Sequence, residues 1–361
     1  VNPVFGGGTL TGAATGTSAQ NFTVTNAAGS TINANGNALT FSGNFTNATS
    51  GTPGSLTVTG GGSVTFTGSF GTLSDQFGTL TNSGTTTIGG TGTSYFGAIV
   101  NSGTFNILQG ATVIDDLTNT GAFNNAGNYT AAVDNSTAGG VITNQSTGVW
   151  NGNVLSNTTG ASITNNGSWT GTLNSTAIVN NNAGATWNGA FTLGTGSVTT
   201  NAGTWTAGSA TTSSITNGDF TNSGTMNTGR IQVFGANGVF TNTSTGTVTI
   251  GGGNPLEAFT NAQIINNGVV NGVGGSGTGG SIANNAGASW NGAIFVNAGG
   301  SLTNAGSVTG LITNNGVVTS TGSFTGGLSN NTGTTANLAG TANGAVNNSG
   351  LITVTGALTG N

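Results

Sequence analysis

A short phrase recurs along almost the whole chain: an apolar residue, Thr, Asn, any residue, Gly, any residue, and another apolar or aromatic residue. It reads Leu80-Thr-Asn-Ser-Gly84, Ile99-Val-Asn-Ser-Gly103-Thr-Phe105, Leu117-Thr-Asn-Thr-Gly121-Ala-Phe123 and Ile163-Thr-Asn-Asn-Gly167-Ser-Trp169, then continues through Phe220-Thr-Asn-Ser-Gly224-Thr-Met226 and Leu302-Thr-Asn-Ala-Gly306-Ser-Val308. A unit this short cannot bury its apolar side alone, so a chain built from it must stack its copies as layers.

The period can be measured on the apolar residue that follows the Gly. That column runs Phe105, Phe123, Trp150, Trp169, Trp187, Trp205, Met226, Val248, Val270, Trp290, Val308, with steps of 18, 27, 19, 18, 18, 21, 22, 22, 20 and 18 residues. The scatter implies a core of fixed length interrupted by loops, with the longest insertion around Asn124 to Val141. Near the C-terminus Asn304, Asn314, Asn330 and Asn347 lie 10, 16 and 17 residues apart, which implies smaller coils or a change of phase. Asn271 to Ser281 and Gly251 to Pro255 read as loops. Residues 1–20 precede the first clear phrase and read as a cap or assembly strand; residues 21–361 read as one continuous solenoid.

Helix is excluded over most of the chain by 70 glycines, each costing a helix interior about 1 kcal/mol relative to Ala. Thr, Val, Ile and Phe favour a pleated, half-buried surface instead. Runs such as Val64-Thr-Phe-Thr67 and Ile352-Thr-Val-Thr355 alternate inward and outward residues, and Asn or Gly then turns the corner. In Ile163 to Leu173, for example, Ile163, Trp169 and Leu173 point inward from three short strands. The expected fold is all-β: a single-stranded parallel β-helix of about 18 coils of about 19 residues. An outer-membrane barrel needs alternating runs of about ten residues, and a β-sandwich has no such column.

Lys plus Arg number 1 and Asp plus Glu number 6, so 2% of residues are charged, against about a quarter in ordinary domains. Parallel stacking explains the avoidance. Like charges repeated every ~4.8 Å repel by about 0.9 kcal/mol per pair even in water. Asn can instead form ladders, its amide donating to one neighbour and accepting from the other. Asn82, Asn101, Asn119, Asn165, Asn222 and Asn304 are the expected corner and ladder positions. One basic residue, Arg230, cannot track a phosphate backbone, which argues against a nucleic-acid partner. No run approaches the roughly 18 apolar residues of a membrane helix. Cysteine and histidine are absent, so thiol and imidazole chemistry are excluded.

Asp115 and Asp116 are adjacent and Asp134 follows Asp115 by 19 residues, about one coil. If stacked, these three could bind Ca²⁺ with Asn and carbonyl oxygens; otherwise they are surface charges on a loop, and no other cofactor is implied. The same carboxylates could form a glycosidase pair, whose separation selects the mechanism, whereas a polysaccharide lyase needs a basic proton acceptor and Arg230 has no companion; the chain reads as non-enzymatic. Asp219 and Arg230 are placed to pair across a turn, while Asp75 and Glu257 look isolated. Phe105, Phe123, Trp150, Trp169, Trp187, Trp205 and Trp290 read as an inward aromatic ladder, because Met226 and Val248 take the same place elsewhere; the alternative is a glycan-stacking strip. Thr-x-Thr pairs at Thr23/Thr25, Thr57/Thr59, Thr65/Thr67, Thr247/Thr249 and Thr353/Thr355 suggest ice binding, but they skip many coils and predict no continuous array.

The Thr-Asn-x-Gly phrases, the Trp-Asn-Gly corners of Trp187 and Trp290, and the charge-poor composition resemble the repeat regions of Gram-negative surface proteins, namely autotransporter passengers and filamentous-haemagglutinin-like adhesins. The resemblance covers about Asn21 to Asn361 and implies a right-handed β-helix, export, and a role in adhesion or surface matrix. The start at Val1, without Met or signal peptide, fits an exported chain already processed. The absence of a C-terminal membrane barrel points to a cleaved passenger or a stand-alone filament subunit. With no capping helix and Leu351 to Leu358 still reading as an ordinary coil, the expected partner is the chain itself, joined head to tail; surface glycans or ice are the alternative ligands, and the expected location is extracellular.

Overall fold

The computed structural model describes residues 2–25, 30–136, 139–253 and 255–360. Among them there is no helix; 53 short strands follow one another, separated by turns. The chain divides into two compact units, Val1–Thr172 and Leu173–Asn361. Each is a parallel β-solenoid, and the chain makes about 18 coils spaced about 19 residues apart.

Most coils visit three sheets in a fixed order. In the first unit, sheet I contains Thr104–Ile107, Ala122–Asn125, Val141–Asn144 and Ser162–Asn165. Sheet II contains Thr112–Ile114, Asn128–Thr130, Val149–Asn151 and Ser168–Thr170. Sheet III contains Phe77–Asn82, Leu117–Asn119, Val133–Asn135 and Val154–Asn157. The same order labels the second unit, where sheet I begins with Ile178–Asn181 and Val198–Asn201, sheet II with Thr186–Asn188 and sheet III with Leu173–Ser175. Residues 1–20 contribute strands Val4–Phe5, Thr9–Thr11 and Gly16–Ser18, which pair in parallel with Phe22–Val24, Thr31–Asn33 and Asn37–Phe41.

The recurring phrase marks two different corners. Asn82, Asn101, Asn119, Asn135 and Asn157 stand at the inner end of sheet III, and each Nδ2 donates to the next Oδ1 at 2.7–2.9 Å. Asn125, Asn144 and Asn165 do the same at the inner end of sheet I, at 2.8 Å per step. In the second unit the sheet I ladder runs Asn181, Asn201, Asn222, Asn242, Asn266, Asn284 and Asn304 at 2.7–2.9 Å, and ends on the Ser320 hydroxyl at 3.1 Å. Asn314, Asn330 and Asn348 form a further ladder on sheet III. All these asparagines except Asn348 are buried.

This division corrects the spacing read from the sequence. Phe105 and Phe123 pair on sheet I, whereas Trp150 pairs on sheet II with Tyr129 and Trp169. The 27-residue step was therefore a change of sheet and not an insertion. The tightening after Asn304 has the same cause, because Asn314 belongs to the other corner. It also has a second one: ladder steps there shorten to 16 residues. Asn348, not Asn347, continues that ladder; Asn347 registers with the outward Ser329.

The supposed loop at Asn271 to Ser281 is mostly strand, because Val273–Ser276 belongs to sheet III. A Cβ on Gly274 would lie 2.4 Å from Cζ2 of Trp290, so this stretch is glycine-rich to admit the indole. Of the other supposed loop, Gly252 and Gly253 form a turn and Pro255 opens strand Pro255–Phe259, while Asn254 lies outside the described residues. Glycine is also required at the corners themselves: a Cβ on Gly103 would stand 2.1 Å from the carbonyl oxygen of Gly84 in the coil before.

Breaking a ladder leaves buried polar groups on both sides, at a cost of about 1–3 kcal/mol each. Asn222→Leu is therefore expected to destabilise the second unit by at least about 2 kcal/mol, read by denaturant unfolding. The outward neighbour change Thr221→Val is expected to shift stability by under about 0.5 kcal/mol. Equal effects from the two would refute a structural role for the ladder.

Candidate functional site

Each buried asparagine does more than link coils. Asn144 Nδ2 donates to the Gly148 carbonyl across its own turn at 3.2 Å and to the Ser168 carbonyl one coil on at 3.0 Å. Where the turn is tight, the Oδ1 accepts from the turn glycine, as in Gly127 N to Asn125 at 3.1 Å and Gly268 N to Asn266 at 3.1 Å. The side chain thus satisfies corner groups that no sheet partner reaches. Asn82, Asn101 and Asn119 serve the corner into sheet I, and Asn165, Asn222 and Asn304 serve the corner into sheet II.

The aromatic side chains of Phe105, Phe123, Trp150, Trp169, Trp187, Trp205 and Trp290 are each fully buried. Phe105 and Phe123 stack with centroids 5.2 Å apart, Trp150 and Trp169 at 4.2 Å, and Trp187 and Trp205 at 4.9 Å. The indole N–H of Trp150, Trp169, Trp205 and Trp290 donates to the carbonyl of Ala131, Gly152, Gly189 and Gly272 respectively, at 2.9–3.3 Å. These rings have both their apolar and their polar needs met inside, and they offer no platform to a glycan. A phenylalanine cluster around Phe22, Phe45, Phe66 and Phe70 fills the earlier coils. The phrase did not reveal it, because its glycine is missing there: in Phe45-Thr-Asn47-Ala-Thr49 no Gly follows at the expected place, although Asn47 still serves a corner, accepting from Gly54 N at 2.8 Å.

The three aspartates proposed for calcium are not brought together. Asp115 points into the core, Asp116 is exposed, and Asp134 lies in the next coil opposite Thr118. Among the described residues no group of three or more acidic side chains is arranged to hold a metal ion. Nor does Asp219 pair with Arg230. Arg230 instead meets Glu257, with Nε at 2.9 Å and Nη2 at 2.5 Å from Oε2, because Gln232 registers with Glu257 across adjacent strands and brings the two within reach. Asp75 is not isolated either: it accepts from Asn47 Nδ2 at 2.8 Å and from Gly51 N at 3.1 Å.

Asp115 is chemically unusual. Burial pushes its carboxyl up to about 8, and the Asp116 carboxylate beside it adds to the rise, while the nearby Tyr129 hydroxyl offsets part of it. Neither carboxyl oxygen nor the phenol oxygen is aligned for a hydrogen bond. Burial likewise raises the Tyr129 phenol, helped by Asp115.

The outer face of sheet I carries a pattern that strand-by-strand reading missed. In the first unit Thr17, Thr40, Thr65, Thr87, Asn106, Asn124, Thr143 and Thr164 stand in one cross-strand register. In the second unit Asn180, Thr200, Thr221 and Thr241 begin a similar column, resumed by Thr303 and Thr319. Amides and hydroxyls link along it, as in Asn124 Nδ2 to Asn106 Oδ1 at 2.9 Å and Thr200 Oγ1 to Asn180 Oδ1 at 2.8 Å. Asn106 and Asn124 interrupt the threonines in the first unit, and Ile265 and Ala283 in the second, so the column is mixed and no continuous Thr array forms. The column runs across strands, whereas the Thr-x-Thr test looked along them.

No protein-family model matches the chain, and no curated protein matches it significantly.

The buried acid makes stability depend on pH. Asp115 stays protonated in the fold up to about 8, whereas its unfolded value is near 3.8. Stability is thus complete below about pH 4 and declines as pH rises towards 8, by an amount on the order of several kcal/mol. The thermal midpoint of wild type is expected to fall between pH 5 and 8, and Asp115→Asn to flatten that fall. A wild-type profile that is level or rising over this window would contradict the assignment.

Proposed function

We propose that this chain is a non-enzymatic, exported structural and adhesive β-solenoid of a bacterial cell surface, and that copies associate through coil faces into filaments or matrix. The observation that carries the reading is the sameness of its coil contacts. Parallel strands, amide ladders running in one direction and stacked rings repeat from coil to coil, so one coil face can accept any other of the same design. A nearly uncharged surface does little to keep copies apart. The resemblance to surface adhesins supports export, and the scarcity of acid–base groups supports a role without catalysis. In the described residues no helix is long and apolar enough to cross a membrane.

Negative-stain microscopy of the concentrated 361-residue protein is expected to show filaments, shortened or lost in Leu351→Lys with Leu358→Lys. Monodisperse single particles at every concentration would sink the proposal.

The Thr column of sheet I favours a second reading, ice binding. Hydroxyl and methyl groups about 4.8 Å apart on a sheet face that carries no charge in the first unit are suited to ordering water. Thermal hysteresis lost in Thr65→Tyr is the expected sign, and its absence in wild type would exclude this alternative.

A further inference from the structure

Strand Val273–Ser276 of sheet III in the second unit reads Val-Gly-Gly-Ser and runs on into Gly277. Its inward positions are Gly274 and Ser276. The strand before offers Leu256 and Ala258 at those places, and the strand after offers Ile294 and Val296. The Ser276 hydroxyl is buried without a hydrogen-bond partner. At neither inward position, then, does this strand give the core an apolar side chain, and its glycines lose the most freedom on ordering. Local opening of a folded chain begins where buried apolar contact is poorest.

Side chains from other strands cover both faces. Inside, the Trp290 indole lies against Gly274 and donates its N–H to the Gly272 carbonyl at 3.0 Å. Outside, Glu257 registers with Gly275, and a Cβ there would stand 3.1 Å from Glu257 Cγ. The Phe259 ring lies over Gly277: all three atoms nearest to a Cβ at that position belong to the ring, with Cδ1 at 2.4 Å. Gly275 and Gly277 are buried beneath these two side chains. Each cover is itself held from the strand before. Phe234 stacks on Phe259 with centroids 5.4 Å apart and planes 18° apart, and Arg230 holds Glu257 through Oε2. The turn after Phe259 is strained, with the β-branched Thr260 at φ 55° and Asn261 at φ 67°, a conformation that persists only where its surroundings enforce it. Thr260 N donates to the Thr278 carbonyl at 2.9 Å, which fastens this turn to the chain just past Gly277. Phe234 and Phe259 thus have a reason to face outward in a chain that buries 14 of its 17 phenylalanines.

We propose that strand Val273–Ser276 is a releasable seam of the second unit, and that Arg230, Phe234, Glu257 and Phe259 form the strap that keeps it shut. The strap lends the glycine backbone the apolar cover that its own side chains do not supply. With the strap seated, ladder bonds such as Gly277 N to the Ala258 carbonyl at 2.8 Å and Gly274 N to the Ala293 carbonyl at 2.9 Å are shielded from water. When it lifts, water reaches Gly275 and Gly277, and this strand opens ahead of its neighbours. The amide ladder through Asn242, Asn266 and Asn284 lies on sheet I and keeps the coils joined meanwhile. The stack thereby has a defined place to yield under load or denaturant.

The test is native-state hydrogen exchange of the 361-residue protein, read by mass spectrometry, with a mutant cycle on the strap. Phe259→Ala is expected to speed exchange from Gly274 to Gly277 by about tenfold, while the amides of Val198–Asn201 in the same unit stay within about twofold. Arg230→Gln, which frees Glu257, is expected to give a smaller rise at the same amides, and as a surface change it keeps this arm readable if Phe259→Ala misfolds. Gly277→Ala supplies the second arm. In wild type the new methyl meets the Phe259 ring, so the urea midpoint falls. In Phe259→Ala the methyl has room and restricts the unfolded chain, so the same substitution raises the midpoint. Uniform acceleration across the unit, seam exchange indifferent to the strap variants, or a Gly277→Ala effect of one sign in both backgrounds would each overturn the proposal.

Discussion

The fold depends on one interaction, the hydrogen bond from the amide of a buried asparagine to the carbonyl oxygen of the asparagine one coil on. Three sharp corners per coil leave backbone groups that no sheet ladder can reach, and the corners are too close to the core for water to satisfy them. Asn meets both demands. Its Oδ1 and Nδ2 join neighbouring coils, as in Asn201 to Asn222 and Asn222 to Asn242, and Nδ2 also serves carbonyls such as those of Gly224 and Thr247. Asp in the same column would stack like charges, and Leu would leave the carbonyls bare. Every step in a ladder runs the same way, so each bond polarises the next.

The remaining peculiarities follow from that geometry. Glycine stacks on glycine at the corners because the carbonyl one coil away occupies the place of a Cβ, as at Gly84 and Gly103. Tryptophan is tolerated in the core because the corner it abuts supplies a carbonyl for its N–H, as Gly152 does for Trp169. Departures from the pattern are therefore informative. Asp115 and Tyr129 bury polar groups without aligned partners, and sheet III of the second unit turns three phenylalanines outward.

Much of the coil could be read from the chain. Inward and outward residues followed from alternation in runs such as Ile163-Thr-Asn165, and the direction of the ladder followed from the chemistry of a primary amide. The corner a phrase occupies could not be read. Asn101 and Asn165 sit in nearly identical local sequences, yet one ends a strand of sheet III and the other a strand of sheet I. The local hydrogen-bond problem is the same at both corners, so the same words solve it. Pairing partners were equally hidden: Arg230 lies nearer in sequence to Asp219 than to Glu257, but register across adjacent coils decides which carboxylate it meets.

By itself the sequence determined that the chain is β-rich, layered and neutral, with a period near 19 residues, because composition, alternation and turn chemistry act within a few residues. Tertiary structure alone decided what stands beside what: two ladders in place of one, a mixed Thr and Asn column across coils, an interior Asp115, and the Phe259 ring laid over Gly277. Those relations depend on the register between coils 16 to 26 residues apart, which the length of each intervening turn sets and no local pattern records.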